Sequence, residues 1–100
     1  MCNNSMTITY EDVVKAQQTQ NKVIRKTNLE FSETFSKICG ANVYLKNEYE
    51  QKTGSFKIRG AYYKIKSLTD DEKNKGVVAA SAGNHSQGVA FASHIENIPC

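Results

Sequence analysis

Val77-Val78-Ala79-Ala80 follows Gly76 and lies between two stretches of helical spacing, and no other run constrains the fold as tightly. A short continuous apolar run suits a strand covered on both faces, the condition of strands in parallel sheets. Before it, Ile58, Ala61, Tyr62, Ile65 and Leu68 keep the spacing of an amphipathic helix that begins near Lys57. After it, Ser81 to Gly83 turn the chain. A second helix is predicted from Asn84 to about Glu96, with Val89, Ala92 and Ile95 on its buried side. Ile98-Pro99-Cys100 reads as the run-in to a further strand, and Val43-Tyr44-Leu45-Lys46 alternates as an earlier one. The order strand, helix, strand, helix, strand predicts an α/β fold, the N-terminal part of an open parallel sheet built from right-handed βαβ units. Two parallel strands cannot cover themselves, so residues 1–100 are expected to be the N-terminal portion of a single larger domain.

Local signals place the remaining elements. Thr9-Tyr10-Glu11-Asp12 starts a helix, with Thr9 as cap and Asp12 at the third helical position. That helix is expected to run to about Arg25, which makes residues 1–26 an N-terminal helical segment with a thin apolar stripe. Lys26 to Gly40 reads as loop, with a short helix around Phe35 and Ile38 that Gly40 would end. Glu48 to Ser55 reads as a loop in which Gly54 can take a backbone conformation closed to other residues. Thr69 to Glu72 forms a capping box, so a further short helix starts there and stops before Gly76.

Composition narrows the function. No apolar stretch is long enough to span a membrane. The net charge of +3 is small, and lysines alternate with acids in Asp70-Asp71-Glu72-Lys73-Asn74-Lys75. This describes a solvated mixed surface rather than a nucleic-acid face. Met1 to Met6 lack the basic and apolar regions of a secretory signal. Cys2, Cys39 and Cys100 are odd in number and widely spaced, which argues against a disulfide framework and predicts a reducing, cytoplasmic setting. With two histidines and no Cys-x-x-Cys, no metal site is expected. Cys39 reads as buried filler, His94 as surface, and Tyr62-Tyr63 as packing.

Two runs carry the chemistry. In Thr53-Gly54-Ser55-Phe56-Lys57-Ile58-Arg59-Gly60-Ala61, Lys57 falls at the first turn of a helix. The positive end of the helix dipole disfavours a cation there, and such breaches of local rules collect at functional sites. A neutral lysine amine is a nucleophile suited to Schiff-base chemistry. The residues alone favour a surface lysine that snorkels outward. In Ser81-Ala82-Gly83-Asn84-His85-Ser86-Gln87-Gly88, a strand end, a turn of small residues and a helix start make an anion nest of backbone N–H groups. Read by spacing alone, a well-capped helix without ligand fits as well. The glycine spacing is that of neither a dinucleotide fingerprint nor a P-loop.

Together, in this order and spacing, the two runs resemble threonine dehydratases (threonine ammonia-lyases), pyridoxal-phosphate enzymes of the tryptophan-synthase-β fold type. The resemblance takes in Val43-Tyr44-Leu45-Lys46-Asn47-Glu48 and Gly76 to Ser81, and covers most of residues 22–100. It implies that Lys57 forms the Schiff base with pyridoxal 5'-phosphate, that Phe56 packs against the cofactor, and that Asn84 hydrogen-bonds the ring hydroxyl. It further implies that Ser81, Ala82, Gly83, Asn84 and His85 hold the carboxylate of a small amino-acid substrate. The implied reaction converts L-threonine to 2-oxobutanoate and ammonia, and L-serine to pyruvate, with Lys57 as the base at the α-carbon. The family's glycine-rich phosphate-binding loop lies further along its chain, so residues 1–100 would precede it and be inactive alone. The resemblance also implies a homo-oligomer for the whole protein. Thr27-Asn28-Leu29 departs from the family's usual Thr-Pro-Leu, and Asn47-Glu48-Tyr49 from its usual Glu-Asp pair. Serine racemase, with nearly the same lysine motif, is the rival within the fold type; Ala82 and Gly88 lean toward the dehydratase. A non-catalytic α/β fragment that keeps the helix-start nest is the reading from a different class.

Overall fold

The computed structural model describes residues 7–100. The N-terminal run that contains Cys2 and was read for a secretory signal lies outside the described residues. The elements are α1 (Tyr10–Gln20), β1 (Leu29–Phe31), α2 (Glu33–Cys39), β2 (Tyr44–Lys46), a 3₁₀ turn (Glu48–Glu50), α3 (Lys57–Lys66), α4 (Asp70–Lys75) and α5 (Asn84–Glu96).

The centre is the pair α3 and α5. Ile58, Ala61, Tyr62 and Ile65 of α3 meet Val89 and Ala92 of α5 and Ile98 beyond it, all buried. Ile58 and Ala92 are completely buried. Removing the Ile58 side chain from water contributes about 1.5–3 kcal/mol. Gly88 lets the helices touch at one end. A Cβ built there would lie 3.1 Å from Ile58 N and 3.2 Å from Lys57 C. At the other end, Tyr62 donates its hydroxyl hydrogen bond to Glu96 Oε1 (2.9 Å), and Lys66 forms an ion pair with Glu96 Oε2 (2.9 Å).

The expected caps form. Thr9 and Asp12 make a complete capping box on α1, as Thr69 and Glu72 do on α4. Gly40 ends α2 in the left-handed region (φ 65°), and Gly54 takes a φ of 70°. Three expectations are corrected. First, α1 stops at Gln20 rather than near Arg25, because Val23 and Ile24 turn inward and pack on the core. Second, Leu29–Phe31, read as loop, pairs antiparallel with Tyr44–Lys46, Leu29 opposite Lys46 and Phe31 opposite Tyr44. Third, Cys39 is exposed, since none of the residues of α2 is buried.

The expected parallel strands are not laddered among the described residues. The one sheet among the described residues is this antiparallel pair. Val77–Ala80 is without a ladder and is covered on one face only: Val77 and Ala79 are half-buried, while Val78 is 99% exposed. The covered face rests on the α3–α5 layer, and no described layer lies over the other. One contact does follow βαβ logic: Val77 N donates to Pro99 O (2.9 Å), which brings the run after α5 beside the run before it.

That approach depends on Gly76, whose φ is 80° and whose added Cβ would lie 2.7 Å from Pro99 O. Gly76→Ala is therefore expected to cost about 1–3 kcal/mol in urea unfolding. Gly60→Ala, in α3 with nothing within 4 Å of an added Cβ, is expected to gain about 0.5–1 kcal/mol. Equal effects of the two would contradict the close approach.

Candidate active site

The turn before α3 is fixed by polar side chains. Arg59 donates two hydrogen bonds to Glu48, Nε to Oε2 (2.8 Å) and Nη2 to Oε1 (2.7 Å). Thr27, 4% exposed, donates its hydroxyl to the same carboxylate, and Lys46 Nζ donates to Thr27 O (2.7 Å). The Arg59 guanidinium holds the Glu48 carboxyl down at about 2, against an ordinary 4.5, and the Thr27 hydroxyl adds to this while burial opposes it. Gln51, also buried, bonds both sides of one peptide unit's neighbourhood: Oε1 accepts from Arg25 N (2.7 Å) and Nε2 donates to Arg25 O (2.8 Å). Gln20 Nε2 donates to Arg59 O (2.6 Å), tying the end of α1 to the start of α3. Arg59 and Glu48 thus flank Lys57 in sequence and clamp the loop that delivers it.

Lys57 is the first residue of α3 and is exposed. Its N–H donates to Ser55 Oγ (3.4 Å), and its Nζ lies 5.2 Å from the centroid of the Phe56 ring. None of the ion pairs among the described residues uses it. Phe56 is itself 58% exposed. The backbone of Lys57 abuts α5 at Gly88. Asn84 lies four residues before Gly88, about 6 Å of helix rise away. The lysine turn and the 81–85 loop are therefore neighbours across the helix pair.

Ser81, Ala82, Asn84 and His85 are exposed, and Gly83 is half-buried. Gly83 N donates to Ser81 Oγ (3.2 Å), and Ser86 Oγ donates to Gly83 O (2.7 Å), which shapes the turn. The helix start at Gly83 has no side-chain cap, and neither has the start of α3 at Phe56. By contrast α1, α2 and α4 are capped by Thr9, Ser32 and Thr69. Uncapped first-turn N–H groups favour an anion. His85 also lines a cavity of about 340 Å³ with Gly60, Lys64, Val78 and Val89. His94 is exposed and stands apart from this group. Among the described residues no cluster of three or more His, Cys, Asp or Glu side chains could hold a metal, and no helix is long and apolar enough to cross a membrane.

Sequence reading missed Gln20, Gln51 and the Glu48–Arg59 pair. Their roles depend on partners 11 to 39 residues away, which local spacing does not show. The one available signal was polarity beside an apolar helix start, as at Arg59.

Because charged hydrogen bonds are worth about 1.5–3 kcal/mol, Glu48→Gln should lose stability of that order near neutral pH. Glu48 has a lowered folded-state pKa, so its contribution is full above 4.5 and is lost as pH falls toward about 2. Urea unfolding of wild type and variant should therefore converge across that window; a constant gap would refute the assignment.

Comparison with known proteins identifies the family. Residues 21–100 match the family described as pyridoxal-phosphate dependent enzyme. The L-threonine ammonia-lyase of Thermotoga maritima is 55% identical over 92 residues, covering 92% of this chain and 23% of that one. The catabolic L-threonine dehydratase TdcB of Escherichia coli is 51% identical over 85 residues, covering 85% of this chain and 26% of that one. The crystal structure of serine racemase from Dictyostelium discoideum superposes with a TM-score of 0.85 at 41% identity, covering 93% of this chain and 30% of that one. The chain spans about a quarter of the length of the curated relatives it matches. With a matched segment that holds both the lysine turn and the 81–85 loop, the chain belongs to the family of pyridoxal-phosphate dependent enzymes.

Proposed function

We propose that the whole protein removes ammonia from L-threonine to give 2-oxobutanoate, and from L-serine to give pyruvate. The observation that carries this reading is the contact of α3 and α5, which sets the Lys57 turn beside an uncapped helix start. The relatives named as threonine ammonia-lyase and dehydratase, at 55% and 51% identity, support the choice of substrate.

The residues fit the cofactor. Lys57 offers an amine, Phe56 an exposed aromatic flank, and Asn84 an amide able to donate and accept. When bound, pyridoxal phosphate supplies an electron sink for the charge left as the α-proton departs. Lys57 Nζ takes that proton, and the clamped turn keeps it in reach. The backbone N–H groups at Ser81 to His85 donate to the substrate carboxylate and so fix which bond at the α-carbon faces the lysine. Water leaves from the β-carbon, and a second water later releases the nitrogen as ammonia. The balance is threonine to 2-oxobutanoate plus ammonia. We extend the proposal to the chain's place in the protein: residues 1–100 form the first portion of one catalytic domain.

A second reading is serine racemase, favoured by the 0.85 TM-score to the Dictyostelium discoideum enzyme. Its product keeps every atom of the substrate, so the two readings separate cleanly by assay. With pyridoxal phosphate added, the whole protein should release 2-oxobutanoate from L-threonine, and Lys57→Ala should reduce release to background. A cofactor-yellow protein that releases none, yet forms D-serine from L-serine, would replace the dehydratase reading with the racemase one.

A further inference from the structure

Gly88 is buried in the first half of α5, and its contacts are unlike those of the other helical glycine. An added Cβ would lie 3.1 Å from Ile58 N, 3.2 Å from Lys57 C and 3.3 Å from Lys57 O. Gly60, on α3, would meet nothing within 4 Å. The atoms facing Gly88 are backbone, and two of the three belong to Lys57 itself. They cannot swing aside as a side-chain tip would. Ile58 is completely buried beneath them, and Arg59 is held by the Glu48 carboxylate. A methyl group at position 88 must therefore move the start of α3 against α5 by a few tenths of an ångström. α5 also carries Asn84 and His85 at its own start. The displacement changes the separation of the lysine turn from the 81–85 loop.

We propose that Gly88 is a positioning residue for Lys57: the absent side chain sets how closely the lysine backbone approaches the helix whose first turn faces the ligand. The proposal rests on Lys57 and the 81–85 loop forming one site. It adds the residue that sets the spacing between its halves. Packing alone would make Gly88 one more contributor to the α3–α5 core, interchangeable in effect with Ile65 at 3% exposure further along α3.

The test compares wild type, Gly88→Ala and Ile65→Val in the whole protein loaded with pyridoxal phosphate. Three quantities are read: Tm, the pH midpoint of the cofactor's absorbance change, and kcat and KM for L-threonine. A misplacement of a full ångström can cost about a hundredfold, so a shift of tenths is expected to lower kcat roughly three- to tenfold in Gly88→Ala, with KM little changed. The absorbance midpoint should move in Gly88→Ala and stay at the wild-type value in Ile65→Val, whatever the loss of Tm in each. An unmoved midpoint in Gly88→Ala, an equal movement in both variants, or a Gly88→Ala protein that fails to fold would overturn the proposal and leave Gly88 a packing residue. A wild type that turns over no threonine but shows the midpoint shift in Gly88→Ala alone would refute the dehydratase reading and retain this one.

Discussion

α3 and α5 share the buried core of the described residues, and each begins at a turn that carries candidate site residues. Helices that pack through small residues come close enough for backbone to meet backbone, and the distance between them is then set by hard contact rather than by adaptable side chains. Here the contact falls at Lys57 and Ile58 on one side and Gly88 on the other. On the proposed reading, the core that stabilises the chain is thereby also the gauge of its site. Tyr62 and Lys66, both bonded to Glu96, keep the far ends of the two helices from splaying.

A second layer of control is polar. The loop before α3 has little apolar surface to bury, and carboxylate and amide side chains hold it instead. Glu48 gathers Arg59 and Thr27, Gln51 bonds the N–H and C=O of Arg25, and Gln20 reaches the carbonyl of Arg59. Partly buried bonds of this kind are directional, and leaving any partner unpaired is costly. They specify the path of the chain into Lys57 more sharply than a hydrophobic contact would. Thr27 and Asn28 sit in this network: Thr27 through its hydroxyl, Asn28 through its backbone carbonyl, which accepts from Asn47 N (3.1 Å).

What was legible in the sequence was whatever acts over one or two turns. The stripe from Ile58 to Ile65, the boxes at Thr9 and Thr69, and the stops at Gly40 and Gly76 follow from residue type and spacing. The family was legible in the two runs around Lys57 and Asn84, which lie within the matched residues 21–100. Illegible were features fixed at a distance. Leu29–Phe31 forms a strand only because Tyr44–Lys46 lies alongside. The composition of Val77–Ala80 suits a run covered on both faces, but only the face on the α3–α5 layer is covered among the described residues, because coverage belongs to whatever packs on a run. Gly88 was visible as one small residue among several on α5, and its particular contact with Lys57 depends on how the two helices cross.

The missing caps on α3 and α5 have a thermodynamic consequence. Thr9, Ser32 and Thr69 close the starts of their helices from within the chain, a service worth about 1 kcal/mol apiece. At Gly83 no side chain performs that service. On the proposed reading the substrate carboxylate performs it, and its affinity then includes the cap's share of the stability of α5. By the same linkage, the bound state would resist unfolding more than the empty one. Order in the first turn of α5 and occupancy of the site would then be two views of a single equilibrium.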